Sequence, residues 1–183
     1  MRRQATFAVE LVNLATPGER QSHPYEPAKG RTLRRRFSEH LSPPWSAMLA
    51  DVPKAGARLT RVANALRAAF TAQTPAEAAA VLNVLMRRYR TRPYLTDDFD
   101  EPFHLHFHGH GLTAVESLAG ELAVGLALMM DTYGQKRFGV CEAHACDRVY
   151  ADFTRNGSRC YCSDACSARS KMAAYRRRQA GEE

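Results

Sequence analysis

Cys141-Glu142-Ala143-His144-Ala145-Cys146 and Cys162-Ser163-Asp164-Ala165-Cys166 decide how this chain is read. The two segments have the forms C-x4-C and C-x3-C, with a turn-bearing stretch between them. This is the spacing of a structural zinc site. Four thiolates at about 2.3 Å satisfy a tetrahedral zinc ion and leave no open coordination position for catalysis. All five cysteines of the 183-residue chain lie between positions 141 and 166. A disulfide framework would staple a whole small fold, so this clustering points to metal binding in a reducing compartment.

The residues around the quartet supply the rest of a small module. Val149–Asp152 and Arg159–Cys162 have strand character, and Asn156-Gly157 between them is a strong turn signal. Ser163 is placed to cap a helix beginning at Asp164, with Cys166 in its first turn. The order knuckle, hairpin, helix predicts a treble-clef-like zinc finger. A module of about 45 residues buries too little apolar surface to fold well alone, so Zn²⁺ must supply much of its folding free energy. Cys160 is a fifth thiol that could compete as a ligand, react, or stay inert, and His144 is a stand-in ligand within the first loop. Knuckle-tip and helix-start geometry favours Cys141, Cys146, Cys162 and Cys166. Arg148, Arg155, Arg159 and Arg169 are expected to offset the negative charge of a four-thiolate centre.

A basic stretch follows directly. Of the formal net charge of +7, Arg169, Lys171, Arg176, Arg177 and Arg178 lie between Ser167 and Ala180 with no acid among them. Such a block attracts polyanions. An isolated basic run is usually a solvated helix face; joined to a zinc module, it favours DNA. With Arg155 and Arg159 of the finger's turn, these residues are the candidate nucleic-acid contacts. One finger offers little area, which implies help from a homodimer or from the preceding domain. The alternative class is a zinc-stabilised module for protein or RNA interaction.

The chain divides near Lys136, into residues 1–136 and 137–183. The first part reads as a helix-rich α+β domain. A short element is expected at Phe7–Leu14, a long loop over residues 15–33, and a helix from Arg34 to His40 that stops before Pro43-Pro44. Val62, Leu66, Ala69 and Phe70 keep helical spacing. Thr74 and Glu77 form a capping box with Pro75 at the first helical position, and Ala78, Val81, Leu82, Leu85 and Tyr89 make the stripe that follows. Thr113 and Glu116 repeat the device ahead of Val115, Leu118, Leu122, Leu126, Met129, Met130 and Tyr133, and Gly134 ends that helix.

Between these helices, Tyr94–Thr96 and Phe103–Phe107 flank an acidic turn at Asp97–Asp100 and predict a β-hairpin. Alternation puts His104, His106 and His108 on one face and Leu105 and Phe107 on the other. Histidines two apart on a strand can chelate a metal, and His110 adds a fourth, although no carboxylate or cysteine nearby in the sequence completes a ligand set. The plainer expectation is a Leu/Phe face packed on the helices, with the histidines toward solvent or a pocket.

No run of about 20 apolar residues exists to span a membrane. Arg2 and Arg3 before a short apolar run imitate a signal peptide, but Glu10 interrupts it, and the expected location is cytoplasmic. No Gly-rich phosphate loop, nucleophile elbow or pair of catalytic carboxylates is present, so the expectation is a protein that is not an enzyme.

The segment Arg137–Arg178 resembles the CGNR zinc finger family. The matching elements are Cys141, Cys146, Tyr150, Asp152, Thr154-Arg155-Asn156 and Arg159-Cys160-Tyr161-Cys162-Ser163, followed by the last ligand, Arg169 and a basic helix. The family's name-giving Cys-Gly-Asn-Arg stands here as Cys166-Ser167-Ala168-Arg169, and Cys160 occupies the position of a usual second arginine. More weakly, Phe7-Ala-Val-Glu-Leu-Val-Asn13 and Phe103-His-Leu-His-Phe-His108 are similar to the ABATE domain that precedes such fingers. These resemblances imply a bacterial transcriptional regulator whose finger binds DNA. They also imply a first domain that senses an unknown effector or pairs with a partner.

Overall fold

The computed structural model describes residues 1–97, 102–108 and 111–180. The elements run α1 (Arg2–Ala15), β1 (Gly18–Arg20), β2 (His23–Tyr25), α2 (Gly30–Ser38), α3 (Pro43–Ala50), α4 (Ala55–Thr71) and α5 (Pro75–Arg88). They continue with β3 (Tyr94–Thr96), β4 (His104–His106), α6 (Ala114–Tyr133), β5 (Phe138–Val140), β6 (Val149–Ala151) and α7 (Asp164–Gln179). The result is a helix-rich body with small antiparallel hairpins and a C-terminal cysteine cluster, as expected. Each hairpin is a separate two-stranded sheet: β1–β2, β3–β4 and β5–β6.

The axis of the body is α6, because it is apolar nearly all round over its middle turns. Val115 and every residue from Ser117 to Leu126 are buried; a helix without a polar face belongs in the interior. Its start is the predicted capping box: the Glu116 N–H donates to Thr113 Oγ1 at 3.4 Å and the Thr113 N–H to Glu116 Oε2 at 2.9 Å. These bonds to Thr113 hold the Glu116 carboxyl below the usual range. Gly134, at φ 83°, ends the helix, its N–H returning to the Met130 carbonyl. Around α6 pack α1, α3, α4 and α5, and α2 packs on α1, α3 and α4. Gly125 permits a close crossing with α1, since a Cβ there would run into Gln4. Leu11, Leu33, Phe37, Leu49, Leu59, Leu66, Leu122, Leu126 and Met129 fill the core and are almost fully buried.

α5 begins as predicted, with Thr74 Oγ1 accepting from the Glu77 N–H. The returning half of the box lands one residue early, because Glu77 Oε2 accepts from the Gln73 N–H at 2.9 Å. Four local expectations are corrected. The Phe7–Leu14 element is the whole helix α1. The long loop over residues 15–33 contains β1 and β2, and α2 starts at Gly30 rather than Arg34. Pro43-Pro44 does not only end a helix but opens α3, since the missing N–H of a first-turn proline has no partner to lose.

The break read near Lys136 falls in a single 3-10 turn, Gln135–Arg137. The residues beyond it are anchored to the body. Phe138 and Val149, from β5 and β6, are 4% and 0% exposed and belong to the main apolar cluster. Phe138 meets Phe70 of α4 edge to face at 5.5 Å. Burying two such side chains contributes about 1.5–3 kcal/mol each, enough to seat β5–β6 firmly. Among the described residues no helix is long and apolar enough to cross a membrane.

Candidate metal centre and the basic helix

β5 delivers the chain to Cys141, and the Cys141 N–H donates to the Arg148 carbonyl at 2.8 Å, closing the knuckle at its base. Within it, Ala145 takes a left-handed φ of 50°, a conformation a non-glycine residue holds only under tertiary constraint. On the far side, Ser163 Oγ accepts from the Cys166 N–H and caps α7, fixing Cys166 in the first turn as the sequence predicts. The Sγ atoms of Cys146, Cys162 and Cys166 are mutually 3.7 Å apart. All four predicted thiols lie within 4.8 Å of one another. A tetrahedron with bonds of about 2.3 Å has edges of about 3.8 Å, so the quartet fits Zn²⁺.

The electrostatics lead to the same ion. Burial raises the Cys141 thiol above its usual range, and burial with the neighbouring Cys141 and Cys146 charges pushes Cys162 far above it. Burial also works to raise Cys146, but the Gln21 and Arg148 N–H groups outweigh it and bring this thiol below the ordinary value. A cation among the four sulfurs would stabilise their thiolate forms, the protons leaving to solvent as it binds. Cys160 is outside the group: its carbonyl accepts from the Glu142 N–H, and burial and Glu142 raise its thiol. His144 is exposed and also outside.

Two details of the expected finger are corrected. β6 pairs with β5, not with Arg159–Cys162, which forms no strand. The reason is Asp152, fully buried. Its carboxylate accepts from the Thr154 N–H at 2.7 Å, Thr154 Oγ1 at 2.6 Å and the Arg159 N–H at 2.9 Å, and it lies 3.8 Å from Arg137 Nη1. One carboxylate thus takes the place of a ladder. Burial opposes ionisation of Asp152, yet these bonds keep it below the usual range.

Arg148, expected as a counterion to the thiolates, points the other way. It is 2% exposed and donates to the carbonyls of Asn13, Thr16 and Pro17 at 3.2, 2.9 and 2.8 Å, with Asp147 on its remaining edge. Asn13 completes the junction by bonding both the N–H and the carbonyl of Val149. The β1–β2 hairpin then wraps the knuckle, through the Ser22 N–H on the Ala145 carbonyl and the Asp147 N–H on the Glu19 carbonyl.

The proposed nucleic-acid contacts fall into two groups. Arg169 is half-buried, and its Nη2 donates to Ser22 Oγ at 2.7 Å and to the His144 carbonyl at 2.8 Å. It ties the helix to the knuckle and to β1–β2. Arg159 is exposed but folds back over its own segment, onto the Tyr161 and Cys162 carbonyls. Arg155, Lys171, Arg176, Arg177 and Arg178 are exposed. Along α7 only Cys166 is buried, so beyond its first turns the helix stands in solvent.

The β3–β4 hairpin forms with Leu95 opposite Leu105 and Tyr94 opposite His106; its histidines meet a pocket as expected, at His104 and His106, but its leucine face is not packed on the helices. Leu95 and Leu105 are 62% and 53% exposed, whereas His106 is 7% exposed. The acidic-turn residues 98–100 and His110 lie outside the described residues. The carboxylate missing from the local sequence comes from α6. Glu121, 5% exposed, gathers with His106 and His108, their ligand atoms within 4.8 Å of one another. Sequence reasoning passed over Glu121; the available signal was a lone acid inside an apolar stretch of helix.

A helix-anchored cysteine tetrad behind a strand-borne knuckle defines a zinc-finger module. Residues 137–179 match the family model described as CGNR zinc finger. No curated protein matches the chain.

Proposed function

We propose that this protein is a zinc-dependent DNA-binding transcriptional regulator in which the metal centre presents α7 to duplex DNA. The observation that carries the reading is the exposure of Lys171, Arg176, Arg177 and Arg178 on a helix whose first turn holds a zinc ligand. Phosphate contacts from such side chains fix position and supply affinity, while sequence preference needs base-edge contacts, for which Arg155 and the outer face of α7 are the candidates. Arg169 is assigned to holding the helix rather than to DNA. The centre is structural, since four cysteine thiolates close the coordination shell. The finger's small area makes a second copy, or the helical body, a contributor to binding. The similarity of Phe7–Asn13 and Phe103–His108 to the ABATE domain supports a sensing role for that body.

The test is duplex binding by zinc-loaded protein carrying Arg176→Ala, Arg177→Ala and Arg178→Ala together. Removing three phosphate contacts should weaken affinity roughly 10²-fold near 0.1 M salt, with zinc content and helicity unchanged. Unchanged DNA affinity would remove this reading. It would favour a protein or RNA partner instead, which Met172 and Tyr175, each 51% exposed on the same helix, support.

A further inference from the structure

A hairpin that buries His106 and exposes Leu95 and Leu105 runs against the hydrophobic effect, which would put the leucines inward. Something other than apolar burial sets the face of β3–β4. His106 is stacked on Trp45, with centroids 6.4 Å apart and planes 11° from parallel, and its ring meets His108 edge-on at 5.2 Å. Behind them Glu121 is fixed by the Phe107 N–H, which donates to Oε1 at 2.6 Å. The same oxygen is 3.4 Å from His106 Nδ1.

The hydrogen-bond chain assigns the tautomers. The Pro102 carbonyl, which can only accept, lies 2.8 Å from His104 Nδ1, so the proton of neutral His104 is on Nδ1 and its Nε2 accepts. His106 Nε2, 2.8 Å from His104 Nε2, is then the donor. In that arrangement His106 Nδ1 faces the Glu121 carboxylate. A cation can be held between these two atoms, since 3.4 Å is close to the edge of a tetrahedron built on bonds of about 2.0–2.1 Å. Tyr94 Oη, 2.8 Å from His108 Nε2, orients the third ring, the kind of outer contact that ligating histidines have. A cavity of about 50 Å³ adjoins His104, His106, Trp45 and Glu121, room for an ion and its water rather than an organic cofactor. Burial raises the Glu121 carboxyl above its usual range, and a bound cation would offset that cost.

We propose that His106, His108 and Glu121 form a second metal centre, for a divalent transition-metal ion of the zinc class, separate from the cysteine tetrad. Two imidazoles and one carboxylate are a borderline donor set that suits such ions and disfavours Mg²⁺ and Ca²⁺.

The experiment loads the full chain with zinc, removes excess by gel filtration, and reads stoichiometry by elemental analysis and the coordination shell by X-ray absorption. The expected result is two zinc ions per chain, with nitrogen or oxygen at about 2.0–2.1 Å beside sulfur at about 2.3 Å. His106→Gln and the nearly isosteric Glu121→Gln should each reduce this to one zinc with a sulfur-only shell. One zinc per wild-type chain with only sulfur neighbours overturns the proposal, and means that a proton serves between His106 and Glu121. Two zinc ions retained by both variants also overturn it, by placing the second ion elsewhere.

Discussion

Cys166→Ser is expected to abolish zinc binding at the tetrad and to melt α7 with it. Cys166 is fully buried, and its sulfur sits 3.7 Å from two of its three partners. Apart from Cys166, no residue of α7 is buried, so the helix has no apolar face to hold it once the metal is lost. Its last-turn arginines suit the helix dipole, but such terms contribute only about 0.3–1 kcal/mol each. Zinc binding in comparable modules is worth about 10–16 kcal/mol, the size of a whole domain's stability. Far-UV circular dichroism should lose the signal of one helix while the helical body persists, because α1 to α6 share a core that contains no cysteine. Removing zinc from the wild-type tetrad with a chelator should reproduce the change. A Cys166→Ser protein with full helicity and zinc bound to the remaining thiols would refute the structural role.

The second large effect is expected at Arg148. Arg148→Met keeps much of the side-chain length but removes the fork that holds three carbonyls at the end of α1 and just beyond it, and leaves Asp147 without its nearest cation. Truncating one side of a buried, hydrogen-bonded charge costs about 3–5 kcal/mol. For a chain of this size that corresponds to a fall in Tm of roughly 10 °C. Arg148→Lys should not restore it, since one ammonium cannot reach carbonyls that a planar guanidinium spans. Zinc should stay on the tetrad, because Arg148 faces away from the sulfurs. The melting temperature and sulfur-bound zinc of the two variants check this; an unchanged Tm in Arg148→Met would show that the junction contributes little.

What could be read from the sequence was what local chemistry decides. Thr113 with Glu116, and Thr74 with Pro75 and Glu77, mark helix starts because orphan N–H groups need those acceptors nearby. The four ligands were legible because tetrahedral thiolate coordination imposes its own spacing. The failures are long-range. Nothing in residues 15–33 announces β1–β2, since that hairpin is held by the knuckle, through Ser22 on Ala145. Strand alternation marks two faces of β3–β4 but not which one turns inward, and Glu121 on a different element decides that. Arg148 and Arg169 look alike as basic residues near cysteines; one serves the α1 junction and the other the knuckle carbonyl. Arg159–Cys162 has strand-forming residues, yet Asp152 already satisfies the Arg159 N–H that a ladder would use.

The most direct test of the central claim, a zinc centre that presents a basic helix to DNA, is duplex affinity measured against salt. Four exposed cations on α7 predict that, for zinc-loaded protein, log K falls with log salt at a slope between about −3 and −4, and that zinc-stripped protein loses this binding. Binding that is absent, insensitive to salt, or unchanged after the metal is removed would contradict it.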